Sequence, residues 1–358
     1  MSIEARKSDH IKISLEKDVS YRKSTWLEYV ELVHQAAPEI DPEDIQTETI
    51  FLGRRFSHPF IIESMTGGTA EAERINANLG EAAAVFKVPM GVGSQRAGIA
   101  KPETVYTFRA AREHGPDAFL IGNIGAVQLV ENGVEMGVKA VEMIEADALA
   151  VHLNPLQEIV QPDGKARFRN LSKILEKLRN ELSVPIILKE IGCGLSREVV
   201  AMADEVGVDA FDVAGSGGTN WTMIEMIRAE EMRDIEKKAL AEVFLEWGIP
   251  TAAAVMEAVD ATTKPVIASG GLRTGLDAAK AIALGASMTG LARPFLEPAT
   301  KSVEDVLATL RRLSNQLKTS MFLTGCRSVD ELKLAPKVVL GPLKEWAVQR
   351  LSHGSRQT

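Results

Sequence analysis

The chain has 358 residues, of which 45% are hydrophobic and 25% charged, with a formal net charge of −8. That is the balance of a folded protein with ample material for a large core, and the acidic surplus argues against nucleic acid as a partner. No apolar run reaches the length of about 18 residues that a membrane span needs, and the polar stretch Met1 to Asp18 lacks the apolar core of a signal peptide. Aromatic residues are only 5%, so stacking platforms are sparse. Cys193 and Cys326 are too few for a disulfide framework and are expected to be free thiols in a reducing cytoplasm.

Residues 1–58 read as an N-terminal extension. From Phe60 onward the chain repeats a short apolar run, a glycine or polar cluster, and an amphipathic segment. Strands are predicted over Phe60–Ser64, Met90–Gly93, Phe119–Gly122, Ala148–Leu153, Ile186–Glu190, Ala210–Val213, Val266–Ser269 and Ser287–Leu291. Between them the spacing predicts helices over Glu71–Phe86, Thr104–Glu113, Val127–Ile144, Leu171–Glu181, Arg197–Val206, Thr251–Ala261 and Gly275–Ala283, with a last helix over Val303–Met321. Strict alternation implies parallel strands. Eight units over about 250 residues fit a closed TIM (β/α)8 barrel, residues 59–325, with a doubly wound open sheet as the alternative. Insertions interrupt the rhythm after strand four (Pro155–Asn170) and after strand six (Thr219–Gly248), both expected at the C-terminal face. Residues 326–358 form a C-terminal extension.

The stretch Val151-His152-Leu153-Asn154-Pro155-Leu156-Gln157-Glu158 is the most informative. Alternation puts His152 and Asn154 on one face of a strand that stops at Pro155, with Gln157 and Glu158 following on a loop. One carboxylate beside neutral donors suits a Mg2+ ion shared with substrate phosphates better than a closed protein cage.

Ser269-Gly270-Gly271-Leu272-Arg273 and Gly290-Leu291-Ala292-Arg293-Pro294 each end a strand and open a helix. Glycine lets backbone N–H groups approach an anion there, and loops seven and eight are the usual phosphate cradle of such barrels. Ser64-Met65-Thr66-Gly67-Gly68 offers amides and a hydroxyl to a flat heteroaromatic ring, or else a helix cap through Thr66 or Thr69. Gly93-Ser94-Gln95-Arg96 and Gly122-Asn123-Ile124-Gly125 present small polar groups, and Arg96 has the fork to grip a phosphate. Lys189 at the end of a central strand needs an anion; Glu190 and Glu158 are the candidates, and beside a flavin such a cation stabilises the anionic reduced ring. Gly215 to Trp221 suits a backbone pressed against a ligand or a hinge. Arg6-Lys7-Ser8-Asp9-His10 is either a solvated tail or a set of cations folded over the barrel mouth.

Taken in order, these motifs resemble the type 2 isopentenyl-diphosphate isomerases, the FMN-dependent class, from Arg6 to about Leu334. The resemblance implies a TIM barrel that binds FMN, is active in its reduced form with NADPH as reductant, needs Mg2+, and interconverts isopentenyl and dimethylallyl diphosphate by an allylic proton shift. It also implies a homotetramer or homo-octamer. It sets Met65, Thr66 and Gly67 against the flavin ring, with Ser94, Asn123, Lys189 and Thr219 on its polar edge and ribityl chain. Gly271, Leu272, Arg273, Ala292 and Arg293 would hold the FMN phosphate. Arg6, Lys7, Ser94, Gln95, Arg96, His152, Asn154 and Gln157 would line the substrate pocket, with Glu158 as the metal ligand. Either Ala214 or Ser216 stands where a further hydroxyl contact is expected. Gln157 and His152 are the catalytic candidates beside reduced FMN as acid and base; an amide does not titrate near neutrality, so Gln157 would position a proton. A 2-hydroxy-acid oxidase would need a histidine late in the barrel, and none occurs between His152 and His353. An IMP dehydrogenase would need a cysteine after strand six, and none lies between Cys193 and Cys326. A silent phospho-ligand scaffold is the reading from another class.

Overall fold

The computed structural model describes residues 3–162 and 164–351. Eight parallel strands close into a barrel in the cyclic order seven, eight, one, two, three, four, five, six. They are Phe60–Ile62, Met90–Gly91, Leu120–Gly125, Ala148–His152, Ile186–Lys189, Ala210–Asp212, Val266–Ala268 and Met288–Leu291. Helices surround them, so the expected TIM barrel is the fold and the open sheet is set aside.

Alternation along each strand divides the core in two. One set of side chains faces the helices, among them Phe60, Ile62, Leu149, Val151, Leu188 and Phe211. The other fills the barrel interior: Ile61, Ile121, Ala148, Ala150, Ile187, Ala210, Ile267 and Met288. Phe51 and Phe56 join that interior cluster. They come from a hairpin of Thr49–Phe51 and Arg54–Phe56 that precedes the first barrel strand.

Four local expectations change. Val127–Ile144 is two helices, Ala126–Asn132 and Glu135–Ile144, because Gly133 leaves the helix at φ +89°. Strand three runs on to Gly125 and pairs Asn123 with Ala150. Gln157 and Glu158 stand in a helix, Pro155–Val160, whose first position is a proline with no N–H to lose. The strand-six insertion is built of helices Trp221–Glu231 and Ile235–Val243, the first capped by the Asn220 side chain.

The N-terminal extension begins with a helix, Ile3–Glu16. Its Ile13 packs with Val19 and with Ile224 of the strand-six insertion. Val30–Leu32 pairs antiparallel with Lys337–Val339, which ties the two extensions together. The helix Gly341–Arg350 then docks through Trp346 and Arg350 on the fully buried carboxylate of Glu257 (both 2.8 Å). Cys193 and Cys326 are free thiols, and among the described residues no helix is long and apolar enough to cross a membrane.

Candidate active site

Two residues beyond the apolar interior layer, on the same face of seven of the eight strands, the barrel turns to polar groups or glycine. Ile61 is followed by Glu63, Ile121 by Asn123, Ala150 by His152, Ile187 by Lys189, Ala210 by Asp212, Ile267 by Ser269 and Met288 by Gly290. All but Asp212 line one cavity at the C-terminal mouth. A period-two pattern on closed parallel strands thus builds a ring of functional groups on an apolar floor.

Lys189 stands in this ring between two carboxylates. Its Nζ lies 2.9 Å from Glu63 Oε2 and donates to Asp212 Oδ2; Lys189 and Asp212 are register partners on neighbouring strands. Ser269 Oγ donates to Asp212 Oδ1 at 2.5 Å. Burial opposes the lysine charge, yet Asp212 and Glu63 outweigh it and its pKa rises. Glu63 is pushed up by burial and then by Asp212, with Lys189 pulling the other way. The expected partners Glu190 and Glu158 are therefore replaced. Glu190 instead accepts from the backbone N–H groups of Ile191, Gly192 and Cys193 at 2.5–2.7 Å. Glu158 receives Asn154, Gln161 and the Lys165 amide. Gly290 is glycine for room: a Cβ there would sit 2.0 Å from Glu63 Oε1.

His152 Nδ1–H donates to Asn123 Oδ1 at 2.7 Å, while Asn123 Nδ2 donates to Val92 O at 3.1 Å. That chain assigns Nδ1 as the protonated nitrogen and leaves Nε2 an acceptor. Burial, then the charges of Lys189, Arg96 and Lys7, lower its pKa to about 3, so the ring is neutral at physiological pH. Gln95 does not reach the cavity. Fully buried, it donates to Ala140 O (2.7 Å) and accepts from the Asn123 amide (2.8 Å), a structural part in place of the expected substrate contact.

The helix Ile3–Glu16 brings Arg6, Lys7 and His10 to the mouth, so this segment is not a solvated tail. Lys7 Nζ donates to Ser94 O at 2.6 Å and lies 4.9 Å over the Phe108 ring. Burial without a carboxylate partner lowers its pKa to about 7. Arg96 makes no ion pair among the described residues and shares this corner. At the opposing rim Asn154 Nδ2 reaches both Gln157 Oε1 (3.0 Å) and Glu158 Oε1 (3.2 Å), and its own Oδ1 is buried without a partner. Gln157 Nε2 donates to Glu225 Oε1 at 2.9 Å. Glu225, fully buried on the strand-six insertion, also meets His10 (3.0 Å) and Arg228 (2.5 Å). Burial resists its charge, but these partners outweigh it and its pKa falls.

The glycine loops close the other side. Gly270, Gly271, Leu272, Arg273, Gly290, Leu291, Ala292 and Arg293 all line the cavity. Gly271 has φ +88°, and its missing Cβ would lie 2.5 Å from Thr25 Cγ2. Burial and then the Arg293 charge lower the pKa of Arg273, so two guanidinium groups share one corner. Met65, Thr66, Ser94 and Thr219 line the cavity; Gly67 does not, because it packs on Phe108, whose ring a Cβ would meet at 1.9 Å. Thr69 takes the capping role, accepting from Ala72 N at 3.2 Å. Ala214 lines the cavity, whereas Ser216 is buried away from it with an unpartnered hydroxyl.

The family profile of FMN-dependent dehydrogenases matches residues 140–337. Over nearly the full length the chain is similar to proteins named isopentenyl-diphosphate delta-isomerase. One from Thermococcus kodakarensis is 46% identical, covering 97% of this chain and 94% of that protein. One from Halobacterium salinarum is 48% identical over 98% and 97%, and one from Archaeoglobus fulgidus 46% over 97% and 99%. The chain belongs to the isopentenyl-diphosphate delta-isomerase family. The FMN-dependent dehydrogenase match makes it one of the flavin-binding, type 2 isomerases.

Solved structures carry the same barrel into other chemistry. A mandelate oxidase with an FMN adduct aligns at TM-score 0.63 and 20% identity over 95% of this chain and 93% of that one. A lactate oxidase of Pediococcus acidilactici aligns at 0.67 and 14% over 94% and 93%. At that identity the likeness is one of fold. Four residues of this isomerase mouth escape motif reading: Glu63, Asp212, Gln161 and Glu225. The first two were available from counting two positions past Ile61 and Ala210. Gln161, which donates to Glu158 Oε2 at 3.0 Å, and Glu225 lie in insertions where no period points inward.

Proposed function

We propose that the protein interconverts isopentenyl and dimethylallyl diphosphate by an allylic proton shift, with reduced FMN and Mg2+ bound and NADPH as the flavin's reductant. The observation that carries the reading is the sorting of cations in one cavity. Arg273 and Arg293 face each other on loops seven and eight, while Lys7 and Arg96 stand beside His152. Two anionic groups fit two such corners.

Bound there, reduced FMN supplies acid–base chemistry at its ring and Mg2+ neutralises the diphosphate. The residues present fit both. Gly271, Leu272, Arg273, Ala292 and Arg293 would hold the flavin phosphate, Met65 and Thr66 its ring, and Ser94, Asn123, Lys189 and Thr219 its polar atoms. No cluster of three or more His, Cys, Asp or Glu is present among the described residues. Glu158 with the open Asn154 Oδ1 beside it suits an ion that takes its remaining oxygens from the substrate.

The chain's own work is binding and orientation. Arg6, Lys7 and Arg96 grip the diphosphate. Neutral His152 offers Nε2 as an acceptor. Gln157, fixed between Asn154 and Glu225, presents one amide face to the reacting carbons and holds a proton's path rather than the proton. Trp221, Leu291 and Leu296 keep water from the apolar tail. The N-terminal extension completes the substrate site, and assembly is as a homotetramer or homo-octamer.

Anaerobic incubation of the purified protein with isopentenyl diphosphate, FMN, Mg2+ and NADPH, followed by product analysis, tests this. Dimethylallyl diphosphate is expected. Its absence, or substrate oxidation with oxygen consumption, would overturn the proposal in favour of a scaffold or an oxidase.

A further inference from the structure

The stretch after the N-terminal helix crosses the glycine loops of the mouth. Asn220 N donates to Val19 O at 2.7 Å and Tyr21 N to Gly218 O at 3.0 Å, and Ser20 bridges Thr219 in antiparallel fashion. Further on, Ala252 N donates to Thr25 O at 2.9 Å. Thr25 also fills the space that Gly217 and Gly271 leave open: their missing Cβ atoms would stand 2.4 Å from Thr25 N and 2.5 Å from Thr25 Cγ2. This strap is therefore built into the back of the loops after strands six and seven.

It also reaches the loop after strand eight. Ser20 Oγ accepts from Arg293 Nη1 at 2.7 Å, and Asp18 Oδ1 lies 3.8 Å from the same nitrogen. Asp18 is mostly exposed and its carboxylate also accepts from Ser20 N at 3.1 Å, so it shapes the turn that presents the hydroxyl. Arg293 opens the helix Arg293–Lys301, lines the cavity, and faces Arg273. Left to itself, a long guanidinium side chain beside a second guanidinium would swing out to solvent, and ordering it would be charged against ligand affinity. A fixed acceptor on the strap removes that freedom.

Resting on the FMN reading above, we infer that Ser20 is a positioning residue for the flavin phosphate, acting through Arg293. One N-terminal segment then serves both ligands: Arg6 and Lys7 face the substrate corner and Ser20 holds the cofactor corner. Ser20 itself does not line the cavity. Its effect is consequently confined to flavins that carry a phosphate.

Fluorescence-quenching titrations of the full chain with FMN and with riboflavin, which lacks the phosphate, test this. The unmodified protein should prefer FMN. Ser20→Ala should weaken FMN by about fivefold to tenfold, the share of one charge-assisted hydrogen bond partly replaced by water, and leave riboflavin binding unchanged. Ser20→Thr, which keeps the acceptor, should restore FMN affinity. Equal losses for both flavins would make the strap a purely structural brace and overturn the inference, as would FMN affinity unchanged in Ser20→Ala. If the unmodified protein does not prefer FMN over riboflavin, the phosphate cradle itself fails, which is a different result.

Discussion

Replacing Lys189 by methionine tests the polar floor most severely. The substitution keeps the aliphatic bulk and removes the one cation between Glu63 and Asp212, both buried. Stripping one partner from a buried ion cluster costs about 3–5 kcal/mol. Here the loss has a pH signature. Glu63 already sits above the ordinary carboxylate range through burial and Asp212, with Lys189 opposing. Without Lys189 the two carboxylates retain a proton in the folded state that the unfolded chain has released. A raised folded pKa means stability lost as pH rises, at about 1.4 kcal/mol per unit for one proton. In the unmodified protein Glu63 keeps its proton up to about pH 7, so the deficit should widen mainly above that value, by roughly 1.4 kcal/mol between pH 5.5 and pH 8. Urea unfolding followed by tryptophan fluorescence at both pH values measures it. Adding Glu63→Gln and Asp212→Asn should recover most of the loss. A deficit below about 1 kcal/mol, or one that does not change with pH, would refute the reasoning.

Three further outcomes follow from the same geometry. Glu158→Gln should weaken Mg2+-dependent binding of isopentenyl diphosphate while FMN stays bound; unchanged metal dependence in a calorimetric titration would remove Glu158 as the ligand. The His152 imidazole, its pKa lowered to about 3 by burial and nearby cations, should show no titration between pH 5 and 8 by NMR. Since the unfolded ring protonates near 6.5, its burial lowers stability as pH falls below that value. Gly290→Ala puts a methyl group 2.0 Å from the Glu63 carboxylate and should cost about 1–3 kcal/mol by overpacking; a neutral effect on the unfolding midpoint would mean that Glu63 has room to move.

The barrel was legible because its eight strands are apolar runs cut off by glycine or proline, and the helix boundaries at Leu171–Glu181, Thr251–Ala261 and Gly275–Ala283 coincide with the sequence pattern. The loops after strands seven and eight stood out for the same reason, each a glycine-led strand end running into an arginine (Gly270-Gly271-Leu272-Arg273 and Gly290-Leu291-Ala292-Arg293), and both line the cavity. What the sequence hid depends on register and on insertions. Lys189 could be seen to need an anion, but its pairing with Asp212 is set by which residues stand opposite on neighbouring strands. The helix Ile3–Glu16 carries few apolar residues, so its charged face reads as a tail until Glu225 and the mouth are there to receive it. Gly67 and Gln95 share motifs with ligand-facing neighbours yet point into packing against Phe108 and the Ala140 carbonyl.

Counting product against reductant is the most direct measurement of whether the cavity runs an isomerisation rather than a redox reaction. With FMN, Mg2+ and limiting NADPH under strict anaerobiosis, dimethylallyl diphosphate should keep accumulating long after NADPH oxidation has stopped, many molecules for each one oxidised. One product molecule per NADPH consumed would contradict the account.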